Sequence, residues 1–234
     1  MGEAPPWKHA AYLAAWPGLD ADAFLFGRAT AVPDRREWGQ AAMKTAIGLT
    51  LFYAVARAAR PDLLAGWIGM IGVVMTLHFG LFHLLSCAWR SAAVDARPLM
   101  DGPLRSVSLG EFWGRRWNTA FRDLTHRFLF RPLRPRLSAT GAVCAGFVFS
   151  GVVHDAVISL PARGGFGGPT LFFSLQAAGI LIERSPAGKR IGLGRGWRGW
   201  VFTMGMLTVP VFLLFHPPFV RTVIVPFMHA VGAR

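Results

Sequence analysis

Cysteine is almost absent: only Cys87 and Cys144 occur, both in or beside apolar stretches, so no disulfide framework is indicated. Charge is scarce as well. Charged residues make up 16% of the chain against 53% hydrophobic, the imbalance of a membrane protein rather than of a water-soluble domain. Of the two signs, the acidic one is the rarer, 12 residues against 25 basic, which leaves a net charge of +13 carried far more by arginine than by lysine. These cations cluster between the apolar runs, where they can hold anionic headgroups or a phosphorylated substrate. The aromatic residues lie within or beside those runs, so the soluble basic and aromatic face that nucleic acid requires is missing. There is no Gly-rich phosphate loop, no G-x-S-x-G elbow and no paired-carboxylate motif, which leaves hydrolase and nucleotide-phosphate readings without residues to carry them. Internal repeats and low-complexity tracts are absent. Met1 to Pro6 lack the basic start and short apolar core of a signal peptide, so no cleavage is expected.

What the chain has in quantity is hydrocarbon-compatible sequence. A bilayer core of roughly 30 Å needs about twenty apolar residues in a helix. Six segments qualify as candidates, near 43–60, 63–88, 139–160, 167–183, 199–216 and 217–231. The fifth and sixth are divided by His216-Pro217-Pro218, and Pro226 lies inside the sixth, which either spans or re-enters. Residues 9–27 mix apolar residues with Pro17, Gly18, Asp20 and Asp22 and read as an interfacial segment. The expected fold is an all-α integral membrane protein of about six transmembrane helices with an amphipathic interfacial helix, organised as a single domain over 1–234. Its parts are an amino-terminal segment (1–42), two spans (43–89), a long loop (90–138) and the remaining spans (139–231).

Orientation follows from the arginines. The 90–138 connection carries ten of them against four acids, and 184–198 carries Arg184, Lys189, Arg190, Arg195 and Arg198. Both are expected on the cytoplasmic side, with the amino terminus also inside.

Two stretches concentrate the chemistry. The first is Ser108-Leu109-Gly110-Glu111-Phe112-Trp113-Gly114-Arg115-Arg116-Trp117-Asn118. Ser108 followed by Glu111 fits a capping box, so a helix is expected from there to about Phe128. On one continuous helix Glu111, Arg115, Asn118 and Arg122 fall within about 60° of one another, opposite Trp113, Trp117, Ala120 and Leu124. Such a helix is either a surface anchor, with its tryptophans at headgroup level, or a binding element whose arginines hold a phosphorylated donor. The basic tail Arg127, Arg131, Arg134 and Arg136 suits both.

The second stretch is Phe149-Ser150-Gly151-Val152-Val153-His154-Asp155. Gly141, Ala145, Gly146, Ser150 and Gly151 let a neighbouring helix approach closely, and His154 shares its face with Phe147, Ser150 and Gly151. An imidazole pointing into a bundle is either a packed interhelical hydrogen bonder or a general base, because its ordinary pKa lies near working pH. Asp155 faces another side, where it pairs with an arginine or lines the same chamber. Among the other histidines, His78 and His83 stand five apart, roughly 140° around a helix, a poor fit for two ligands of one ion. His9, His126, His216 and His229 lack partners at ligand spacing, so no metal or haem site is expected.

These two motifs, together with Phe172-Phe173-Ser174-Leu175-Gln176, resemble the wax synthase-like branch of the membrane-bound O-acyltransferase superfamily over about residues 90–185. The early Ala15-Trp16-Pro17-Gly18 also has the look of bacterial members, which implies a bacterial inner membrane. The resemblance implies transfer of an acyl group from acyl-CoA to the hydroxyl of a lipophilic alcohol, with no further cofactor. His154 is then the base and Asn118 its partner. Arg115, Arg116 and Arg122 would meet the CoA phosphates, while Trp117, Ser150, Asp155 and Gln176 line the substrate path. Two rival classes are a non-catalytic lipid-binding scaffold and a haem or quinone protein built around His78 and His83. Membrane lipids are expected partners, nucleic acid is not, and the oligomeric state is open.

Overall fold

A computed structural model describes residues 4–29 and 31–234. Met1 to Glu3, on which the expectation of an uncleaved start partly rests, lie outside the described residues. Among those residues the only β-type pairing is an isolated bridge between Arg28 and Val94; everything regular is helical.

Two short helices open the chain, α1 (Pro6–Ala15) and α2 (Ala21–Phe26). Asp20 caps the second by accepting from the Ala23 N–H at 3.0 Å. Trp16 and Phe24 pack with Val94, Ala96, Leu99 and Ala120, so the segment expected to lie in the interface is folded against the 94–120 stretch. Helix α3 (35–58) begins where Asp34 accepts from the Glu37 N–H at 2.7 Å, eight residues before the expected span. Beside it runs α4 (Asp62–Ser91). The two helices nearly touch at Gly48 and Gly72. A Cβ on Gly72 would stand 2.8 Å from the Phe52 backbone nitrogen, so these positions admit hydrogen alone.

Next come α5 (109–116) and α6 (119–133), then α7 (Ala139–Ala162), α8 (Gly168–Arg184), α9 (Pro186–Arg190), α10 (Gly196–Leu214) and α11 (217–230). Three of them, α4, α7 and α10, are long and apolar enough to cross a membrane. The protein is therefore a helical membrane protein, and each of the six expected segments is mostly helical. Helix α8, with 17 residues, is about 26 Å long by its rise, short of a full hydrocarbon core. It is instead the central helix: Phe172, Phe173, Gln176, Ala177, Ile180 and Glu183 are all buried. The outer surfaces of α4 and α7 carry exposed Ile71, Leu77, Leu81, Phe149, Val152 and Val157, as lipid contact requires.

The two arginine-rich connections share one end of the bundle. Glu183, in the last turn of α8, reaches Leu109 and Gly110, and the Trp200 indole donates to the Leu104 carbonyl at 2.7 Å. The Arg163 turn lies at the opposite end, where a Cβ on Gly164 would contact Pro218. Reporter fusions after Asp95 and Arg190 should accordingly read alike and cytoplasmic, and one at Gly164 external. Opposite readings at Asp95 and Arg190 would overturn this arrangement.

Candidate functional site

The expected single helix from Ser108 to Phe128 is broken. Helix α5 starts as the capping pattern predicts, with Ser108 Oγ accepting from the Glu111 N–H at 2.9 Å. The returning contact goes one residue further back: Glu111 accepts from the Val107 N–H, also at 2.9 Å. At Trp117 the backbone becomes extended, and Asn118 takes the left-handed conformation at φ 42°. Asparagine tolerates that region, and its Oδ1 caps α6 by accepting from the Phe121 N–H at 3.2 Å. Glu111, Arg115, Asn118 and Arg122 therefore do not form one continuous helical stripe.

Nor do the tryptophans face headgroups. Trp113 packs edge-on against Phe147 at 5.8 Å and against Phe173 at 5.6 Å, and its indole N–H donates to Gln176 Oε1 at 3.4 Å. Trp117 stacks on Phe112 at 5.4 Å. Helix α5 runs inward along α8: its first turn is held at Glu183, while Trp113 meets Gln176, two helical turns or about 10 Å deeper. Aromatic burial against α7 and α8 outweighs the interfacial preference that tryptophan shows at a free membrane surface.

Glu183 is the residue that sequence reasoning missed. It is 6% exposed, and its two carboxylate oxygens accept from the Leu109 N–H at 2.8 Å and the Gly110 N–H at 2.9 Å. These are unpaired donors at the start of α5, where a negative charge is stabilised by the helix dipole. One signal was available. An acid in the last turn of an apolar helix opposes that helix's own dipole, and so calls for a partner elsewhere.

His154 ends the regular part of α7. Its Nδ1 faces the Ser150 carbonyl at 2.6 Å, and its ring lies 4.5 Å from Phe173. A carbonyl can only accept, so Nδ1 carries the proton and, in the neutral ring, Nε2 presents its lone pair. Ser150 and Gly151 are buried against α8; a Cβ on Gly151 would stand 2.5 Å from Thr170 Cα. Among the described residues no hydrogen bond joins His154 to Asn118. They are linked through packed rings, Phe173 to Trp113 to Phe112 to Trp117.

Asp155 pairs with no arginine. Oδ1 accepts from Ser159 Oγ at 2.8 Å and the Gly167 N–H at 2.9 Å, and Oδ2 accepts from the Thr170 N–H at 3.2 Å and from its hydroxyl. It ties α7 to the start of α8. Ser159 also meets His216 Nε2 at 3.1 Å, but His216 Nδ1 accepts from the Phe219 N–H. That chain of bonds runs from imidazole through hydroxyl to carboxylate, with the hydroxyl and not the imidazole in the middle, so it lacks the order of a nucleophilic triad. Gln176, fully buried, donates to the Met206 carbonyl at 2.8 Å while receiving Trp113, so it fixes the helices rather than offering a polar group to a substrate.

The arginines divide by what already holds them. Arg116 is committed: it donates to Glu111 Oε1 at 2.8 Å and to the Asp101 carbonyl at 3.0 Å. Burial pushes the Glu111 carboxyl up, but the Val107 N–H and the Arg116 guanidinium outweigh it and hold it below the usual carboxylate range. Arg115 has a side chain 75% exposed and only a long 3.8 Å approach to Glu111. Arg122 pairs with its neighbour Asp123 and donates to the Gly114 carbonyl at 3.2 Å. Arg115, Arg122 and Arg97 line one cleft of about 550 Å³ between the amino-terminal helices and the 95–123 stretch, which Asp20, Asp95, Asp101 and Asp123 also line.

One cluster has ligand-like geometry. Glu37, His83 and Cys87 bring candidate ligand atoms within 4.8 Å of one another. Cations already occupy it. Arg90 pairs with Glu37 and lies 3.7 Å from Cys87 Sγ, and Lys44 donates to His83 Nδ1 at 3.3 Å while His83 Nε2 donates to Glu37 at 3.1 Å. Two fixed positive charges oppose a divalent ion at this place. His83 is thus held towards α3, whereas His78 stacks on Trp117, so the two histidines do not share a site.

The inward-leaning aromatic helix α5 and His154 on the facing helix α7 lie in one stretch of a helical membrane protein. Residues 96–175 match the family described as Membrane bound O-acyl transferase family. The relatives that the chain resembles are long-chain-alcohol and sterol O-acyltransferases. A probable long-chain-alcohol O-fatty-acyltransferase of Arabidopsis thaliana is 31% identical over 54% of this chain and 41% of its own length. The long-chain-alcohol O-fatty-acyltransferase of Simmondsia chinensis is 30% identical over 65% of this chain and 48% of its own. An acyl-CoA–sterol O-acyltransferase of Arabidopsis thaliana is 30% identical over 65% and 50%. The chain spans half the length or less of these curated relatives.

Proposed function

We propose that this protein is a membrane O-acyltransferase that moves an acyl group from acyl-CoA to the hydroxyl of a lipophilic alcohol, with His154 as general base. The observation that carries the reading is the tautomer set by the Ser150 carbonyl, which leaves Nε2 as a proton acceptor inside the family-matched stretch. Nε2 takes the hydroxyl proton as the alcohol oxygen attacks the thioester carbon; the C–S bond then breaks, and the proton passes to the CoA thiolate. Asn118 spends its side-chain oxygen on the α6 cap, so its amide N–H groups are the atoms able to donate to the developing oxyanion. Arg115 and Arg122 receive the donor's phosphates in their cleft, and the acceptor enters from the lipid. The relatives' names support an acceptor that is a long-chain alcohol or a sterol. The membrane concerned is a bacterial inner membrane, with the amino end cytoplasmic.

Purified full-length protein incubated with palmitoyl-CoA and hexadecanol should release CoA and form the ester. Arg115→Ala with Arg122→Ala should raise the donor KM at least tenfold and leave the alcohol KM unchanged, since only the donor carries phosphate. Asn118→Ala should lower kcat with little change in either KM, the mark of a contact made in the transition state. Salt is held constant, because exposed charges are screened over about 10 Å at 0.1 M. Protein that binds palmitoyl-CoA and never turns it over would return the chain to the lipid-binding scaffold class.

A further inference from the structure

His78 lies within α4, thirteen residues from that helix's end at Ser91, on a stretch long and apolar enough to cross a membrane. Its ring stacks nearly parallel on Trp117, at 6.5 Å and 11°, and meets Phe82 edge-on at 5.3 Å. Phe79 also packs on Trp117, at 5.9 Å. Within this aromatic wall the His78 Nδ1 is buried and has no hydrogen-bond partner among the described residues.

A buried nitrogen left without a hydrogen-bond partner destabilises the fold, and few are retained in folded proteins. His83 shows what a structural histidine does on the same helix: both of its nitrogens are bonded, to Glu37 and to Lys44. If α4 needed only an aromatic plug beside Trp117, phenylalanine would supply it without that cost. The rings packed on His78 are those of Phe82 and Trp117, and Trp117 leads directly into the Asn118 turn.

From this juxtaposition we infer that His78 is a binding residue for the acceptor on its way to His154: its imidazole pairs with the acceptor's single hydroxyl before that hydroxyl moves on to His154, while the apolar body lies along Trp117, Phe79 and Phe82. The inference rests on the acyltransferase reading and names a further contact for it. Its ligand class follows from the chemistry of the wall. Phe79, Phe82 and Trp117 offer nothing to phosphates, which sets aside the nucleotide end of the donor. One hydrogen-bonding atom in an aromatic surface suits a molecule with one polar atom. A hydroxyl both donates and accepts, so it satisfies either tautomer of a neutral imidazole, whereas a thioester carbonyl satisfies only an N–H. His78 is half-buried rather than sealed, and a half-turn about the broad χ2 torsion exchanges the edges of the ring.

The test uses full-length protein in detergent and two variants. His78→Phe keeps the ring and removes the nitrogens; His78→Asn places an amide where Nδ1 stood. Binding of radiolabelled hexadecanol is measured without donor, turnover is measured with palmitoyl-CoA, and thermal unfolding is recorded for each protein. His78→Phe should weaken hexadecanol binding and raise the alcohol KM by about tenfold, the loss of one hydrogen bond. The donor KM should stay unchanged and the unfolding temperature should hold or rise. His78→Asn should recover part of the binding. Wild-type protein that binds hexadecanol through His78 but forms no ester would leave this site standing and remove the acyltransferase reading. Equal hexadecanol binding by wild type and His78→Phe, with or without turnover, overturns the assignment, as does a loss of binding matched by a loss of folded protein in both variants.

Discussion

His154→Ala should lower acyl transfer by at least a hundredfold while the purified yield and unfolding temperature stay close to wild type. Positioned general bases contribute typically about 10²–10⁴-fold, and among the described residues no other imidazole bonds to the Ser150 carbonyl or packs on the Phe173 ring. The structural cost should be small. The hydrogen bond lost runs to a carbonyl of the helix itself, and the ring is half-buried against a single aromatic neighbour. Activity and unfolding must be read on the same preparation. A folded variant retaining more than a tenth of the wild-type rate shows that His154 is a packed interhelical histidine and no base.

The second large effect is at Glu183, and it is one of stability. Glu183→Ala removes both acceptors from the Leu109 and Gly110 N–H groups, and Leu109 is completely buried, so water cannot replace them there. Each orphaned buried donor costs about 1–3 kcal/mol, and the helix start loses its compensating charge as well, so a total of roughly 2–4 kcal/mol is expected. Glu183→Gln retains one acceptor oxygen and should fall between. Unfolding in graded denaturing detergent measures both. The activity of Glu183→Ala should fall further than its folded fraction, because the contact sets where α5 begins and hence where Trp113 and Asn118 lie. An Ala variant as stable as wild type would mean that Ser108 alone holds the helix start.

Much of this was legible in one dimension because the governing interactions are local. Ser108 caps the helix that follows it, since the bonded N–H group lies only three residues away. The apolar runs announce helices through length and composition, and an imidazole in such a run is conspicuous by its cost. The likeness of residues 90–185 to a family, read from two motifs, is matched by the comparisons over 96–175. What was not legible depends on groups far apart in the chain. Asn118 can continue a helix or end one, and its preference for the left-handed region and the cap is expressed once Leu99 and Met100 lie alongside: the Leu99 carbonyl accepts from the Thr119 N–H, and Met100 Sδ from that of Asn118. Arg116 reads like Arg115 and Arg122 in sequence; only the folded positions of Glu111 and Asp101 tell that it is already bound.

The sequence by itself determined that this is a helical membrane protein, which stretches are apolar, that a helix starts after Ser108, and which two motifs concentrate the candidate polar residues. Each of those properties follows from composition, periodicity or bonds spanning a few residues. Tertiary structure alone decided that α5 leans inward instead of lying on the surface, that Asp155 clamps α7 to α8, that Glu183 anchors the motif 74 residues before it, and that His78 stands beside Trp117 with an unbonded nitrogen. Those outcomes depend on which distant side chains complete a hydrogen bond or bury a ring, and such pairings exist only once the helices have packed.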